Sequence, residues 1–441
     1  MAGYLGSSAK VNSSSLSQML LSEFMVGIAF ILLLMENALQ TRVMESFAYL
    51  DEIICLLFCF AAGINLMSRN RRSRLSSLEK KKLALSAVLS CVGLAGNIIY
   101  RVQPAEYAVA IDLFTCNKFI LAYVSMTYLL NRINCRAVYS FCLVVGKWFV
   151  AISVICMIVN QFIGIGMSYE RRFGIAAFLF LFGHPSNYVA AVVGVFALLL
   201  VDYRKNALAI TGCILLLIGS MRFKAIAFVA VMIFAMVGFR KLSRLSFGFV
   251  ITAAVVAVMA ASYQLDIYMN QETARGVLLS SSLEVANGAF PFGSGFGTYG
   301  SDVTKDAYPA MYTMLGFQSV YGLTSANPSY VADMFYSTII AQFGWFGLVL
   351  FIGILICLIL DVTRVARDNK LFFWAAMSIP IYLLIATTSE PAFFSSYSVY
   401  LALCLVLVLR TSRMGSTSER EESVSQLRQT NRKVTFQHAS R

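Results

Sequence analysis

Residues 137–159 (AVYSFCLVVGKWFVAISVICMIV) form an apolar run in which Lys147 is the only charged residue. A run of about 20 apolar residues makes a helix long enough to cross the roughly 30 Å hydrocarbon core of a bilayer. Similar runs recur along the chain, which is 59% hydrophobic and 13% charged over 441 residues. A soluble domain is nearer about 25% charged. The pattern therefore predicts an all-α polytopic membrane protein.

We expect about twelve membrane-spanning helices, counted as apolar runs of sufficient length. They lie near residues 18–36, 47–66, 83–100, 107–130, 137–159, 173–201, 207–221, 224–239, 246–265, 331–360, 371–388 and 393–410. The chain then divides into a first helical region (1–265), one large external loop (266–330), a second helical region (331–410) and a polar tail (411–441) that we expect to be cytoplasmic and disordered.

Lysine and arginine concentrate in alternate connections between these runs. The basic connections include 69–74, 80–82, 132–136, 204–205, 240–244 and 364–370. Because short cytoplasmic loops carry an excess of Lys and Arg, both termini are predicted to be cytoplasmic. This bias and the basic tail account for the net charge of +13, so the charge gives no reason to expect a nucleic-acid partner. The ten cysteines lie in or beside apolar runs without a CxxC motif, and neither disulfides nor a metal site is expected.

The external loop contains GFGTYG (295–300), which matches the G-x-G-x-x-G fingerprint of dinucleotide-binding turns. That fingerprint requires a strand before it and a helix after it within a βαβ unit, and this chain offers no such context. The loop is also rich in tyrosines, among them Tyr299 and Tyr308. Aromatic rings among Ser, Asn and Asp suit sugar binding, although they suit a packed cap over the helices almost equally well.

Cations on the predicted outer face run against the positive-inside trend and need a reason. They are Arg171, Arg172, Arg222, Lys224 and Arg275. Arginine binds phosphate well because its planar fork bonds two oxygens at once, so this group suggests an anion site. Contact of each long side chain with lipid headgroups is the alternative.

The run 173–201 is too long for one perpendicular span and is interrupted at His184-Pro185. We therefore expect an interfacial or re-entrant segment over 173–182 and the main span over 187–201. This places His184 near the outer face, either as a functional group or as a satisfied structural one.

These features occur in a recognisable order. An Arg pair precedes a His-Pro-x-Asn break, and Ser-x-Arg-x-Lys-Ala (220–225), Ala-Arg-Gly-Val-Leu (274–278), PFGSGFGTYGS (291–301) and ADMFYSTIIAQFGWFGL (332–348) follow. The series resembles the O-antigen polymerase and O-antigen ligase superfamily, most closely the Wzy-type exopolysaccharide or capsule repeat-unit polymerases. The resemblance covers roughly 165–410 and is most specific over 290–348.

The resemblance implies a GT-C-like glycosyltransferase of the bacterial inner membrane that needs no cofactor. Its substrate would be an oligosaccharide linked to undecaprenyl pyrophosphate, a membrane lipid, and its partners a flippase and a chain-length regulator. The external cations would bind the pyrophosphate. Gly295 and Gly297 would let the loop close over the glycan, with Tyr299 and Tyr308 beside it.

The related ligases carry a proposed histidine base in the external loop, and residues 266–330 contain no histidine. The remaining candidates for a catalytic base are Asp333, Glu390, Asp302, Asp306 and His184. Asp333 is the first choice because it stands where loop and helix meet, although an Asp there could simply cap the helix.

Two other functions remain open at this point. A ligase would use the same donor but transfer the glycan to lipid A core or to protein. A transporter or flippase of lipid-linked glycans would move the same lipid without chemistry, but such proteins typically contain internal repeats, and this chain has none that we detect.

Overall fold

A computed structural model describes residues 13–67, 75–131, 133–172, 174–241, 273–365 and 370–411. The fold is mostly helical (75%). In chain order the helices are α1 (Ser13–Arg42), α2 (Leu50–Met67), α3 (Ser77–Tyr100), α4 (Glu106–Leu130), α5 (Cys135–Ile163), α6 (Pro185–Leu200), α7 (Ala207–Gly219), α8 (Phe223–Lys241), α9 (Ala274–Gly288), α10 (Ala310–Met314), α11 (Phe335–Val365), α12 (Lys370–Ala386) and α13 (Tyr397–Thr411). Short 3₁₀ turns cover Glu45–Tyr49, Asp302–Lys305 and Phe317–Ser319.

Every predicted span contains one of these helices except 246–265, which lies outside the described residues. Six described helical segments are long and apolar enough to cross a membrane: Ser22–Arg42, Glu45–Met67, Ser77–Tyr100, Glu106–Leu130, Cys135–Ile163 and Phe335–Arg364. The other apolar helices, such as α6 and α7, are shorter. Large apolar side chains face outward from these helices, as Phe60 (70% exposed) and Ile98 (70%) do. Such a surface suits lipid better than water, and the fold is that of a membrane-embedded helical protein.

Two short apolar helices form the centre of the bundle. Every residue from Pro185 to Leu200 of α6 is at least largely buried, and α13 is buried over almost its whole length. They approach closely where Gly194 meets Tyr400, because a Cβ at Gly194 would lie 2.3 Å from that ring. The Tyr400 hydroxyl then donates to the carbonyl of Ala191 (3.1 Å). A helix that is apolar on all sides is stable only when it is enclosed, which explains this central position.

The stretch before α6 differs from the expectation. A two-stranded antiparallel hairpin joins β1 (Ser168–Arg172) to β2 (Ile175–Phe178), so 173–201 is not one helix and 175–178 is a strand. The helix begins at Pro185, whose missing N–H costs nothing in a first turn. The expected helix over 187–201 is confirmed as α6.

Residues 273–334, which include the described part of the predicted external loop (266–330), fold into a cap with a core of its own. Helix α9 packs along α11, and the buried residues of the cap include Leu278, Val285, Tyr299, Met311, Tyr312, Phe317, Leu323 and Val331. The cap is therefore a compact unit seated on the helices.

Candidate functional site

One end of the bundle gathers charged side chains from separate parts of the chain. The group, here called the outer cluster, consists of His184, Arg222, Lys224, Arg275, Lys305, Asp333 and Glu390. They come from the start of α6, the α7–α8 turn, the start of α9, the cap, the residues before α11 and the α12–α13 connection. Sequence reasoning predicted all of these positions except Lys305.

Lys224 and Glu390 form a buried ion pair at the centre of the outer cluster. The Lys224 side chain is 7% exposed and that of Glu390 is 15% exposed. The ammonium also donates to the Ser186 hydroxyl (2.6 Å), and the Tyr397 hydroxyl donates to Glu390. Lys224 was expected to bind pyrophosphate directly, but its charge is already neutralised. Its position makes it an organiser of the site rather than a free anion ligand.

Arg275 and Asp333 form a second, looser pair. The guanidinium nitrogen lies 3.4 Å from a carboxylate oxygen of Asp333 and 3.5 Å from the carbonyl oxygen of Ser389. Their side chains are 26% and 35% exposed, so both remain accessible. An N-cap is the residue directly before the first residue of a helix. Helix α11 begins at Phe335, so Asp333 lies one residue too early to be its N-cap. The capping interpretation of Asp333 therefore loses its basis.

The two carboxylates of the outer cluster differ in acidity. Burial raises the pKa of Asp333 above its usual range, and Arg275 only partly opposes this. Burial acts in the same direction on Glu390, but Lys224 outweighs it and holds the pKa of Glu390 below its usual range. Asp333 is thus the more basic carboxylate and the more accessible one, whereas Glu390 is a fixed counter-ion.

Arg222 and Arg172 meet at the edge of the cluster. The Arg222 guanidinium lies 5.1 Å from the centre of the Tyr169 ring, and Arg172 donates to the carbonyl of Met221 (3.3 Å). Desolvation lowers the pKa of Arg222, and the charge of Arg172 adds to this. Arg172 also pairs with the Glu170 carboxylate (2.6 Å), which balances part of this positive charge. Both guanidinium groups stay charged at neutral pH, and Arg222 is the better candidate to bind an added anion.

Arg171 is exposed on β1, and the pairing of β1 with β2 is irregular between Ser168 and Arg171. The binding of the same anion by Arg171 stays a prediction.

His184 caps α6 and faces the cluster. Its Nδ1 accepts a hydrogen bond from the backbone N–H of Ser186 (3.3 Å), which leaves the proton of a neutral ring on Nε2. Desolvation lowers the pKa of His184. The charge of Glu390 opposes this, while Lys224, Arg222 and Lys305 act in the same direction as desolvation. In this tautomer His184 presents a donor rather than a base. The amide oxygen of Asn37 fixes it by accepting from the backbone N–H of Gly183 (3.0 Å) and of His184 (3.3 Å).

The glycine motif packs against helices instead of facing the cluster. The N–H of Gly297 donates to Asp112 of α4 (2.6 Å), and the motif is buried from Gly293 to Gly300. A Cβ at Gly295 would lie 2.5 Å from Asn97 of α3. Gly295 and Gly297 were expected to let the loop close over a glycan, and in the structure they allow the loop to approach helix side chains and backbone.

The remaining predicted residues fall outside the cluster as well. Tyr299 is fully buried, and its hydroxyl donates to the carbonyl of Leu278 (2.6 Å), so it cannot stack on a sugar here. Tyr308 is half-buried and donates to the carbonyl of Leu323 (2.6 Å). Asp302 is exposed and forms an ion pair with Lys305 of the outer cluster (2.6 Å). This position makes it a partner of Lys305 rather than the base.

Several contributing residues carry no local signal in the sequence. Ser186, Tyr397 and Asn37 are ordinary polar residues of apolar helices, and only the fold brings them to the cluster. Lys118 of α4 pairs with Asp51 of α2 (2.7 Å) within the bundle.

Among the described residues, no group of three or more His, Cys, Asp and Glu side chains could hold a metal ion. Comparison with protein-family models yields no match, and comparison with curated proteins yields none either.

Proposed function

We propose that the protein is a glycosyltransferase that polymerises lipid-linked oligosaccharide repeat units at the outer face of a bacterial inner membrane. The growing glycan passes from undecaprenyl pyrophosphate to the non-reducing end of the next lipid-linked unit. One observation carries the proposal. Cations from separate parts of the chain converge beside an accessible carboxylate of raised pKa, between an apolar helix bundle and a folded cap. A sugar-bearing lipid pyrophosphate needs cations for its phosphates, an apolar surface for its lipid and a folded cap for its sugar.

The chemistry follows from the positions of the charges. The acceptor hydroxyl oxygen bonds to the anomeric carbon of the donor sugar, and the bond from that carbon to the pyrophosphate oxygen breaks. The lipid pyrophosphate leaves with the electrons of that bond, and Asp333 takes the hydroxyl proton. Arg222, Arg172 and Arg275 stabilise the departing anion, since fixed cations in a partly desolvated site act without reorganisation. His184 donates from Nε2 to a phosphate oxygen.

A deletion strain tests the proposal. We expect it to accumulate single repeat units, and the wild-type chain to restore a ladder of polymer on a gel. Arg222→Ala and Arg222→Lys should both fail to restore it, because a point charge does not replace the two-pronged guanidinium. Arg136→Ala is the matched control and should restore the ladder, since Arg136 is exposed at the start of α5 and lies outside the outer cluster.

Other outcomes would overturn the assignment. Long ladders that are made but no longer attached to lipid A core or protein would indicate a ligase. Lipid-linked units trapped at the cytoplasmic face would indicate a transporter. In purified protein, loss of transfer in EDTA that Mg²⁺ restores would contradict stabilisation of the leaving group by side chains alone.

A further inference from the structure

Two tyrosines of the cap lie exposed side by side, while several of its other aromatic rings are buried. Tyr299, Tyr312 and Phe317 are completely buried, whereas Tyr321 is 75% exposed and Tyr330 is 40% exposed. The two exposed rings stand together, with centroids 6.0 Å apart and planes at 62°. An exposed pair of large rings on a folded unit that already has a core needs an explanation other than stability.

The backbone holds this pair in place. The N–H of Tyr330 donates to the carbonyl of Gly322 (2.8 Å), and the Tyr330 ring lies directly over Gly322. A Cβ at position 322 would lie 2.0 Å from that ring, and Gly322 has a φ of 81°. Glycine is therefore required at position 322, both for the positive φ of the turn and to leave space for the Tyr330 ring. The exposed pair is a formed surface rather than a pair of loose side chains.

The surroundings of the pair are polar. Ser325 donates to the Gln318 side chain (3.4 Å), Ser329 donates to Asn327, and Asn327 donates from its backbone to Thr324 (3.0 Å). Amides and hydroxyls beside exposed aromatic rings match a sugar, which presents C–H faces to the rings and hydroxyls to the rim. A lipid tail would not match these polar neighbours.

The pair adjoins the candidate base. The N–H of Asp333 donates to the carbonyl of Tyr330 (3.1 Å), so both residues belong to one turn. Three residues of chain span at most about 10 Å, so a sugar on the rings places a neighbouring sugar unit within reach of Asp333. The donor pyrophosphate would occupy the arginines instead, which leaves this side for the acceptor.

We infer that Tyr321 and Tyr330 form a stacking platform for a pyranose ring of the acceptor glycan. The inference rests on the proposed function and identifies the acceptor side of the same site. Tyr321 and Tyr330 thus take the sugar-binding role first suggested for Tyr299, whose ring is buried.

The test uses the full chain in lipid nanodiscs. The probe is the repeat-unit oligosaccharide of the producing strain, released from its lipid by mild acid. Saturation-transfer NMR should show transfer from protein aromatic protons to sugar C–H protons. Tyr321→Ala and Tyr330→Ala should abolish the signal and raise KM for this soluble acceptor about tenfold, with kcat and the KM for the lipid-linked donor little changed. Tyr321→Phe should behave as the wild type because it keeps the ring.

Tyr107→Ala is the matched control, since Tyr107 is 56% exposed at the start of α4 and far from the cap turn in sequence. Wild-type polymerisation with unchanged KM in both Ala variants would overturn the platform and leave the proposed function intact. Quenching of the two tyrosines by spin-labelled lipids, without transfer to the sugar, would assign them to the membrane surface and also overturn it. Normal polymer in the deletion strain would instead reject the proposed function itself.

Discussion

Asp333 and Glu390 are both carboxylates of the outer cluster, yet their surroundings move their pKa values in opposite directions. Burial dominates at Asp333, whereas Lys224 dominates at Glu390. The proposed base, Asp333, is the carboxylate with the weaker ion pair, at 3.4 Å from Arg275. A base is useful when its pKa is raised toward the working pH, so the looser pairing of Asp333 favours catalysis.

This difference predicts the effect of pH. Asp333 acts as a base only when deprotonated, so transfer is lost as the pH falls through its raised pKa. Arg275 lowers that pKa, and Arg275→Gln should therefore move the acid limb of kcat/KM to higher pH. Asp333→Asn should abolish transfer while donor binding persists. Normal transfer in Asp333→Asn, or an acid limb that does not move in Arg275→Gln, would exclude Asp333 as the base.

The Lys224–Glu390 pair makes a prediction about stability. Lys224→Met leaves a buried carboxylate without its counter-ion, and breaking such a pair costs about 3–5 kcal/mol. The double variant Lys224→Met/Glu390→Gln should recover much of that loss. Lys205→Met is the control, since its pair with Asp202 is exposed and worth about 0–1 kcal/mol. Thermal unfolding in detergent measures all three, and equal losses in Lys224→Met and Lys205→Met would contradict the buried pair.

At the scale of elements, the glycine segment 293–300 joins the cap to the helices. Gly293 meets the kink of α11, where Gly344 has a φ of 65° inside the helix. A Cβ at Gly293 would lie 2.4 Å from the backbone nitrogen of Gly344, and a Cβ at Gly344 would lie 2.4 Å from the carbonyl oxygen of Pro291. In both cases the added Cβ would meet a backbone atom, so no flexible side chain can move aside to make room.

Gly293→Ala should therefore destabilise the protein by on the order of 3 kcal/mol or more, because it adds both backbone strain and a steric clash. Gly316→Ala separates the two causes, because Gly316 also has positive φ (75°) but nothing within 4 Å of its Cβ position. It should cost only about 1–2 kcal/mol. Melting temperatures of the two variants in the same detergent check the difference. If they fall equally, the approach to α11 is less tight than the structure indicates.

Patterns within a short stretch predicted the helices, while contacts between distant stretches decided the site. Apolar runs located α1 to α8 because membrane spans depend on local composition. Cations against the positive-inside trend located Arg222, Lys224 and Arg275 of the outer cluster. The neutralisation of Lys224 depends on Glu390, far along the chain, and the burial of Tyr299 depends on how the cap folds. No local pattern carries that information, so these two contacts could not be predicted from the sequence.

At the scale of the whole molecule, charged groups occupy two opposite ends. The outer cluster lies at one end, and the other holds Lys82 paired with Asp361, with Glu79 lying 3.9 Å from Arg410. The Lys82 ammonium also stacks 4.0 Å over the Tyr123 ring. These pairs connect the start of α3 to the end of α11 and to the end of α13. The loops that flank this end are rich in Lys and Arg, so the positive-inside rule predicts that it is cytoplasmic.

That orientation can be measured directly. A cysteine at Asp306, exposed on the cap, should react with a membrane-impermeant maleimide in intact spheroplasts. A cysteine at Lys81, exposed near the start of α3, should react only after the membrane is permeabilised. The comparison is made in a variant without Cys91, since that thiol is exposed on the surface of α3. Reaction of both positions from the same side would break the assignment of the cap to the outer face. It would also remove the proposed glycan chemistry from that face, because Asp333 and the arginines lie at the same end as the cap.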